Sequence, residues 1–330
     1  MKGEKIDCID SGTKFCPCHL AEAGECILCS QLHGECFCDC LNWKGVCIYQ
    51  GWIANGEKAK EGRKTYTCNI LEAELYEKDL LYIKFSLPED LSLDLMNPGS
   101  YIFLRTDENF YFDVPISIMN CNIDDNTASI LIEVRGIKTK RLLTAKANDP
   151  LVIRGPYWNG VFGLKNIKNT VNSNCLILAR GIGIAPMIPV IKALQKQNNN
   201  LNIIIDRAPY KEVYVDDLLS SLNLSYTEAN LLETGKLTDK CKTIIRDSIE
   251  KDNVNLIHCG GADILTFNVM NFLDTIKAAD VSLSCCNNSK MCCGEGVCGS
   301  CTARFAGHVV KRLCKVQSDP RNIFEGRRFI

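Results

Sequence analysis

Cys175-Leu176-Ile177-Leu178-Ala179-Arg180-Gly181-Ile182-Gly183-Ile184-Ala185-Pro186 decides how the chain is read. The unbroken apolar run from Cys175 to Ala179 fits a strand buried on both faces. A glycine turn follows, and then helical spacing from Met187 to Lys196. This order brings backbone N–H groups close to a diphosphate, because the glycines leave room and a helix N-terminus favours negative charge. Alone, it equally fits a plain tight turn between strand and helix. Leu201 to Ile205 and Val254 to His258 repeat the buried-strand texture, with helical spacing between and after them. Residues 170–283 are therefore expected to form a parallel α/β sheet. Asp206-Arg207 closes the second strand, where a nucleotide ribose is read; the aspartate suits NADH and the arginine NADPH, so both stay open.

Upstream, residues 62–165 carry short apolar or alternating runs such as Tyr101-Ile102-Phe103-Leu104 and Ile130-Leu131-Ile132-Glu133-Val134. Turn residues, including Asn97-Pro98-Gly99, separate them, which predicts an antiparallel β-barrel or sandwich. The stretch GEKAKEGRKT before it reads as a polar linker.

Of 21 cysteines, nine precede residue 48, eight lie between Cys259 and Cys314, and four are scattered between. Thiols bunched at two ends suit metal or cluster ligation better than a disulfide scaffold. In residues 284–330 the spacing is Cys293-x4-Cys298-x2-Cys301-x12-Cys314, with Gly294, Gly296 and Gly299 inside the loop. A plant-type [2Fe-2S] site has this arrangement, whereas zinc sites usually pair two CxxC knuckles. Residues 1–56 are rich in cysteine and poor in aliphatic side chains, so they are expected to fold around metal. Cys16, Cys18, Cys26, Cys29, Cys36, Cys38, Cys40 and Cys47 are the candidate ligands, for a [4Fe-4S] cluster or for zinc. After Cys301 the chain is basic, through Arg304, Lys311, Arg312, Lys315, Arg321, Arg327 and Arg328; this is a face for an acidic partner or a solvated charged face.

With 330 residues, 46% apolar, 23% charged and a net charge of -1, the chain is multidomain and globular, and no nucleic-acid partner is expected. No signal-like segment opens it, and its longest apolar run, Ile182 to Ile191, is too short to span a bilayer. A cytoplasmic location without membrane insertion is the expectation. No Ser-His-Asp set or carboxylate pair suggests hydrolysis, so no catalytic side chain is named.

Four further elements flank the glycine loop in a fixed order. Asp113-Val114-Pro115-Ile116-Ser117-Ile118, Gly136-Ile137-Lys138-Thr139 and Gly155-Pro156-Tyr157-Trp158-Asn159-Gly160 precede it, and Cys259-Gly260-Gly261-Ala262-Asp263 follows. The order resembles the ferredoxin-NADP reductase superfamily, and the C-terminal cysteines narrow the resemblance to electron-transfer subunits of class 1B dihydroorotate dehydrogenases and their relatives. It covers roughly residues 64–320. The resemblance implies an FAD-binding barrel, an NAD(P)-binding domain and a small [2Fe-2S] domain. Pro115, Ile116 and Ser117 would lie along the flavin, Gly136 and Thr139 near its phosphates, Gly155 at a further cofactor-binding position, Gly181 and Gly183 at the nicotinamide nucleotide, and Cys259 and Gly260 beside the nicotinamide ring. Val114 stands where the family has an arginine for the flavin diphosphate; Arg105, Arg135, Lys138 and Arg141 are candidates to replace it.

The implied activity is electron transfer between NAD(P)H, FAD and iron-sulfur clusters, to or from a catalytic or larger flavin and iron-sulfur oxidoreductase subunit, with ferredoxin a further partner. A subunit of a bifurcating ferredoxin-NADP transhydrogenase or sulfide dehydrogenase-like complex is one alternative. A non-catalytic metal or redox sensor is another. The N-terminal cysteine array lies beyond the resemblance, and points to a specialised anaerobic complex.

Overall fold

The computed structural model describes residues 6–39, 44–212, 214–304 and 310–324. The chain divides into two compact units, Tyr66–Asn288 with Asp319–Ile330, and Met1–Thr65 with Ser289–Ser318.

The larger unit contains two sheets. The first is antiparallel, in the order Val114–Ser117, Tyr101–Arg105, Pro150–Tyr157, Lys64–Glu77, Leu80–Ser86, Thr127–Glu133, Asn120–Asn122. Alternation along Leu80–Ser86 sends Leu81, Ile83 and Phe85 into one core, with Ile83 opposite Ile130 and Phe85 opposite Ala128. The helix Glu89–Leu95 adds Leu91 and Leu95 to that core. The sequence predicted an antiparallel barrel or sandwich. Among the described residues no ladder joins the two end strands, so the sheet is a curled, open half-barrel. The end strands Val114–Ser117 and Asn120–Asn122 are separated by Ile118 and Met119 alone, which keeps Ser117 on an edge.

The second sheet runs Thr227–Glu228, Asn200–Asp206, Asn174–Arg180, Val254–Gly260, Ser282–Cys286, Val161–Phe162. Its first five strands are parallel and the last is antiparallel. Val161–Phe162 comes from the segment that otherwise builds the first sheet, and Gly163 (φ +76°) turns the chain where a Cβ would lie 2.4 Å from the Leu283 carbonyl oxygen. The helix predicted from Met187 begins earlier, at Ile184, straight after a short turn at Gly181–Gly183, and buries Met187, Ile188, Val190, Ile191 and Leu194.

His258 is fully buried in this sheet, its Nδ1 2.9 Å from the Ser284 hydroxyl, and Nε2 has no partner. Burial pulls its pKa down to about 4 from 6.5, so the folded ring stays neutral while the unfolded ring takes up a proton. Its contribution is therefore complete above about pH 6.5 and is lost as the pH falls toward 4, by about 3 kcal/mol. Urea midpoints of a His258→Gln variant should lose that part of the acid slope; an unchanged slope would refute the assignment.

The smaller unit has little aliphatic core: Phe15, Leu20, Ala21 and Leu32 from the N-terminal part, Leu313 and Val316 from the C-terminal part. Asp7–Cys8 pairs antiparallel with Val316–Gln317. At its centre lies a buried charge network. The Arg63 guanidinium donates from NH1 to Asp10 Oδ2 at 2.9 Å and to Glu295 Oε2 at 2.8 Å. The Lys315 ammonium donates to Asp10 Oδ2 and, at 2.9 Å, to Glu295 Oε2. Side-chain exposures of 1% for Arg63 and Asp10 and 0% for Lys315 put this network out of water. Two sequence readings are corrected here. Arg63 leaves the supposed polar linker to enter the core, and Lys315 is part of that core rather than of a basic face; Arg312 of the same run pairs with Glu25 at 2.7 Å. Arg327 and Arg328 lie outside the described residues.

Candidate functional site

The larger unit carries an open cleft of about 1100 Å³. Pro115, Ile116 and Ser117 of the edge strand line it together with Leu131, Glu133 and Arg135; Ile182, Gly183, Ala185 and Pro186 come from the turn and helix start of the second sheet. The sequence thus brings four of its candidate residues, Pro115, Ile116, Ser117 and Gly183, to one space. Gly136, Thr139, Gly155, Gly181, Cys259 and Gly260, also predicted, are not among its lining residues. Cys259 is completely buried, and that burial holds its thiol well above the usual range. Gly260 packs on Gly183, where a Cβ would meet the Gly183 carbonyl oxygen at 2.7 Å. Gly155 packs on Ile102. Gly136 and Thr139 form a cap, in which Thr139 Oγ1 accepts from the N–H groups of Arg135 at 3.0 Å and Gly136 at 3.2 Å.

The cations proposed to stand in for the arginine missing at Val114 have different surroundings. Arg105 pairs with Asp113, Arg141 with Asp107, and Lys138 donates to the Asp113 carbonyl oxygen. Arg135 lines the cavity, paired with Glu133 at 2.7 Å and 77% exposed. Asp206 is used inside the fold: Oδ2 accepts from Arg180 Nε and the Leu231 N–H, both at 2.9 Å, and Oδ1 from the Ala208 N–H at 3.1 Å. Arg207 is half exposed and sits 3.4 Å from Glu228.

Several lining residues escaped the sequence reading: the hairpin tip Thr234-Gly235-Lys236, Cys286 and Asn287-Asn288. Asn287 donates from its N–H to the Gly160 carbonyl oxygen at 2.8 Å and from Nδ2 to that of Asn159 at 2.7 Å. Asn288 Nδ2 donates to the Gly261 carbonyl oxygen at 2.7 Å and to Asp263 at 2.9 Å. The only sequence signal was an asparagine pair directly after a buried strand.

In the smaller unit, Gly294, Gly296 and Gly299 all take positive φ, between +72° and +81°, which curls the Cys293–Cys301 loop. Backbone N–H groups point at its sulfurs: Glu295 at 3.3 Å and Cys298 at 3.5 Å to Cys293 Sγ, and Cys314 at 3.3 Å to Cys301 Sγ. Hydrogen bonding from Cys314 draws the Cys301 thiol down to about 6, against the effect of burial, and raises Cys314 in turn. Burial works against ionisation of Cys298, but hydrogen bonds from Ser300 and Cys293 bring it to about 7. Cysteine sulfurs met by converging N–H groups are donors of the kind a [2Fe-2S] cluster takes, so these residues fit that group.

Of the N-terminal candidates, Cys16, Cys18, Cys26, Cys29 and Cys47 are half-buried and Cys36 and Cys38 are exposed. Cys40 lies outside the described residues. Cys47 Sγ caps the helix Ile48–Ala54 by accepting from the Gln50 N–H at 3.5 Å. Among the described residues no three His, Cys, Asp or Glu side chains are grouped as one metal ion would need. No described helix is long and apolar enough to cross a membrane.

No family model matches the chain. It is 28% identical over 254 residues to the electron-transfer subunit of dihydroorotate dehydrogenase B (NAD(+)) of Clostridium acetobutylicum, covering 77% of this chain and 94% of that one. The probable subunit of the same kind from Methanocella arvoryzae is 26% identical, over 62% of this chain and 72% of its own length. Among solved structures, the NADH-dependent reduced ferredoxin-NADP oxidoreductase, described in connection with flavin-based electron bifurcation, superposes with a TM-score of 0.58 at 19% identity, over 77% of this chain and 86% of that one. The resemblance read from the Pro115-Ile116-Ser117 strand, the glycine loop and the C-terminal cysteines therefore holds: the chain has the two-domain ferredoxin-NADP reductase fold and is similar over most of its length to the electron-transfer subunits of dihydroorotate dehydrogenase B.

Proposed function

We propose that the chain is an electron-transfer subunit that links NAD(P)H, FAD and iron-sulfur centres to a larger oxidoreductase subunit. The observation that carries this reading is the single cavity bounded by the Pro115–Ser117 edge strand on one side and the Gly183 turn on the other, a space that fits a flavin with a nicotinamide against it. Similarity to subunits that work beside a dehydrogenase supports the partner.

In this reading residues 62–165 hold FAD, residues 170–283 the nicotinamide nucleotide and residues 284–330 the [2Fe-2S] cluster, on Cys293, Cys298, Cys301 and Cys314. Residues 1–56 hold an additional metal centre. The flavin, when bound, supplies conversion between two-electron and one-electron chemistry. The chain positions it: Ser117 offers a hydroxyl at the cavity edge, Arg135 a cation, and the helix starting at Ile184 its positive end. With Asp206 taken up by Arg180 and two N–H groups, Arg207 and Glu228 are the exposed charges at the ribose position, so both NADH and NADPH belong in the assay.

The test is anaerobic purification of the full chain with flavin, iron, sulfide and zinc analysis, then reduction by each nicotinamide followed by EPR. The expected protein is coloured, contains FAD, and shows a reduced two-iron signal that Cys293→Ser removes without loss of flavin. A colourless protein with zinc and no flavin would sink the proposal. Ser117→Ala should weaken flavin retention about fivefold, the loss of one hydrogen bond worth about 1 kcal/mol, read by equilibrium dialysis.

A further inference from the structure

The larger unit carries a second cleft, of about 610 Å³, which shares no lining residue with the first. One side is the end of the helix Glu89–Leu95 and the turn after it, together with Met119, Asn120 and Cys121 of the edge segment. The other is the C-terminal half of the helix Ile184–Lys196, from Pro189 onward, with Leu222 beyond it. Contacts behind these walls hold them in place. Cys121 Sγ donates to the Ser92 carbonyl oxygen at 3.2 Å, Trp158 Nε1 to that of Asp94 at 2.8 Å, and Gln195 Nε2 to that of Leu222 at 3.0 Å. The space is thus built without a guest, and its volume falls within the roughly 300–1,000 Å³ of small-molecule sites.

Most of the lining is apolar, and its charged members are two lysines with no carboxylate. Lys192 is half-buried. Its ammonium donates to Asn120 Oδ1, and no described carboxylate pairs with it. An ammonium carries three donors, so two remain for a guest. Burial holds the Lys192 pKa below the ordinary lysine value, and nearby Lys196 works in the same direction. Lys196, one turn later, also suits the negative end of its own helix, an effect confined to the last turn. Lys192 stands just before that turn and has no such compensation. A half-buried cation without a counter-charge, set among apolar walls, is suited to a carboxylate carried on an aliphatic body.

We propose that this second cleft binds an aliphatic monocarboxylate, its tail against Leu95, Met96, Met119 and Pro189 and its carboxylate on Lys192, with Lys196 beside it. The two methionines are flexible enough to fit tails of different shape. A bare anion such as acetate leaves the apolar walls uncovered, and a neutral tail leaves the ammonium unpaired. The guest touches elements of both sheets at once, the segment at Met119–Asn120 and the helix Ile184–Lys196, and so stabilises the folded larger unit by mass action. Because the two clefts share no lining residue, this site does not depend on a flavin occupying the first.

The test is calorimetric titration of the anaerobically purified full chain with three probes, sodium octanoate, octanol and sodium acetate. Octanoate should saturate one site per chain and raise the melting temperature; octanol and acetate should each bind at least about tenfold more weakly. Lys192→Gln should weaken octanoate about tenfold, the loss of one hydrogen bond between charged groups, with flavin retention as in the parent chain. Ala193→Trp, which puts a ring into the cleft, should abolish binding. Octanol binding as tightly as octanoate would overturn the role of the ammonium. No saturation by octanoate below about 1 mM, or many weak sites, would leave the cleft to another occupant and overturn the proposal. Octanoate binding unchanged in both variants would place it elsewhere on the chain. Should Lys192→Gln fail to fold, Ala193→Trp and the comparison of octanoate with octanol still decide.

Discussion

Gly183→Ala loses about 3 kcal/mol or more of stability, and its urea midpoint falls accordingly. Gly183 has an ordinary φ of -63°, so the cost is purely one of space. A Cβ there would sit 2.3 Å from the Gly260 carbonyl carbon and 2.4 Å from the Gly260 oxygen and the Gly261 nitrogen. All three are backbone atoms of the neighbouring strand and its turn, so no side chain can swing aside. The helix Ile184–Lys196 must then back away from the sheet, uncovering Met187, Ile188 and Ile191. Because the same glycine lines the cavity, flavin and nucleotide retention should fail with it. Gly235→Ala is the control: a cavity residue at φ +77° with nothing within 4 Å of its Cβ, it should cost about 1 kcal/mol through backbone strain alone. Equal midpoints for the two variants would mean that helix and sheet are not packed this closely.

Arg63→Met removes about 3–5 kcal/mol from the smaller unit, measured on metal-free protein by circular dichroism or by protease sensitivity of the N-terminal segment. The network holds two cations and two carboxylates, and the variant leaves Asp10 and Glu295 sharing Lys315 in a dry site. Burial alone would raise the Asp10 pKa, but Lys315 and Arg63 hold it below the usual carboxylate range. A carboxyl depressed in the folded state stabilises above its unfolded pKa, and that stability is lost as pH falls through the depressed value. Without Arg63 the depression shrinks, so acid unfolding of this unit should begin at higher pH. Adding Glu295→Gln to Arg63→Met restores charge balance and should recover part of the loss; no recovery would argue that Arg63 acts through its packing on the Phe15 ring, 4.1 Å away.

The two sheets were legible because their signals are local. An unbroken apolar run at Cys175–Ala179 and alternation at Leu80–Ser86 need no distant partner to be recognised. Openness of the first sheet was not legible, since closure depends on whether Val114–Ser117 meets Asn120–Asn122, a question of curvature rather than of residue type. The candidate cavity was half visible: its family-like strand and glycine turn carry motifs, whereas Asn287, Asn288 and the Thr234–Lys236 tip become functional candidates only by folding over it. Hardest to read was the charge network. Arg63 sits in a polar stretch and Lys315 in a basic one, and nothing in either neighbourhood announces that Asp10, some 305 positions from Lys315, is its partner.

That separation also has a consequence for biosynthesis. At about 5–20 residues per second, roughly 15–60 s pass between the appearance of Asp10 and that of Lys315 on the ribosome. Residues 66–288 can complete their own sheets in the interval, while the first nine thiols emerge with the other half of their unit still unmade. If those cysteines hold the metal centre proposed above, its loading waits until residue 315 has been made, and a ribosome that stalls before that point leaves the thiols to whichever metal or oxidant reaches them first.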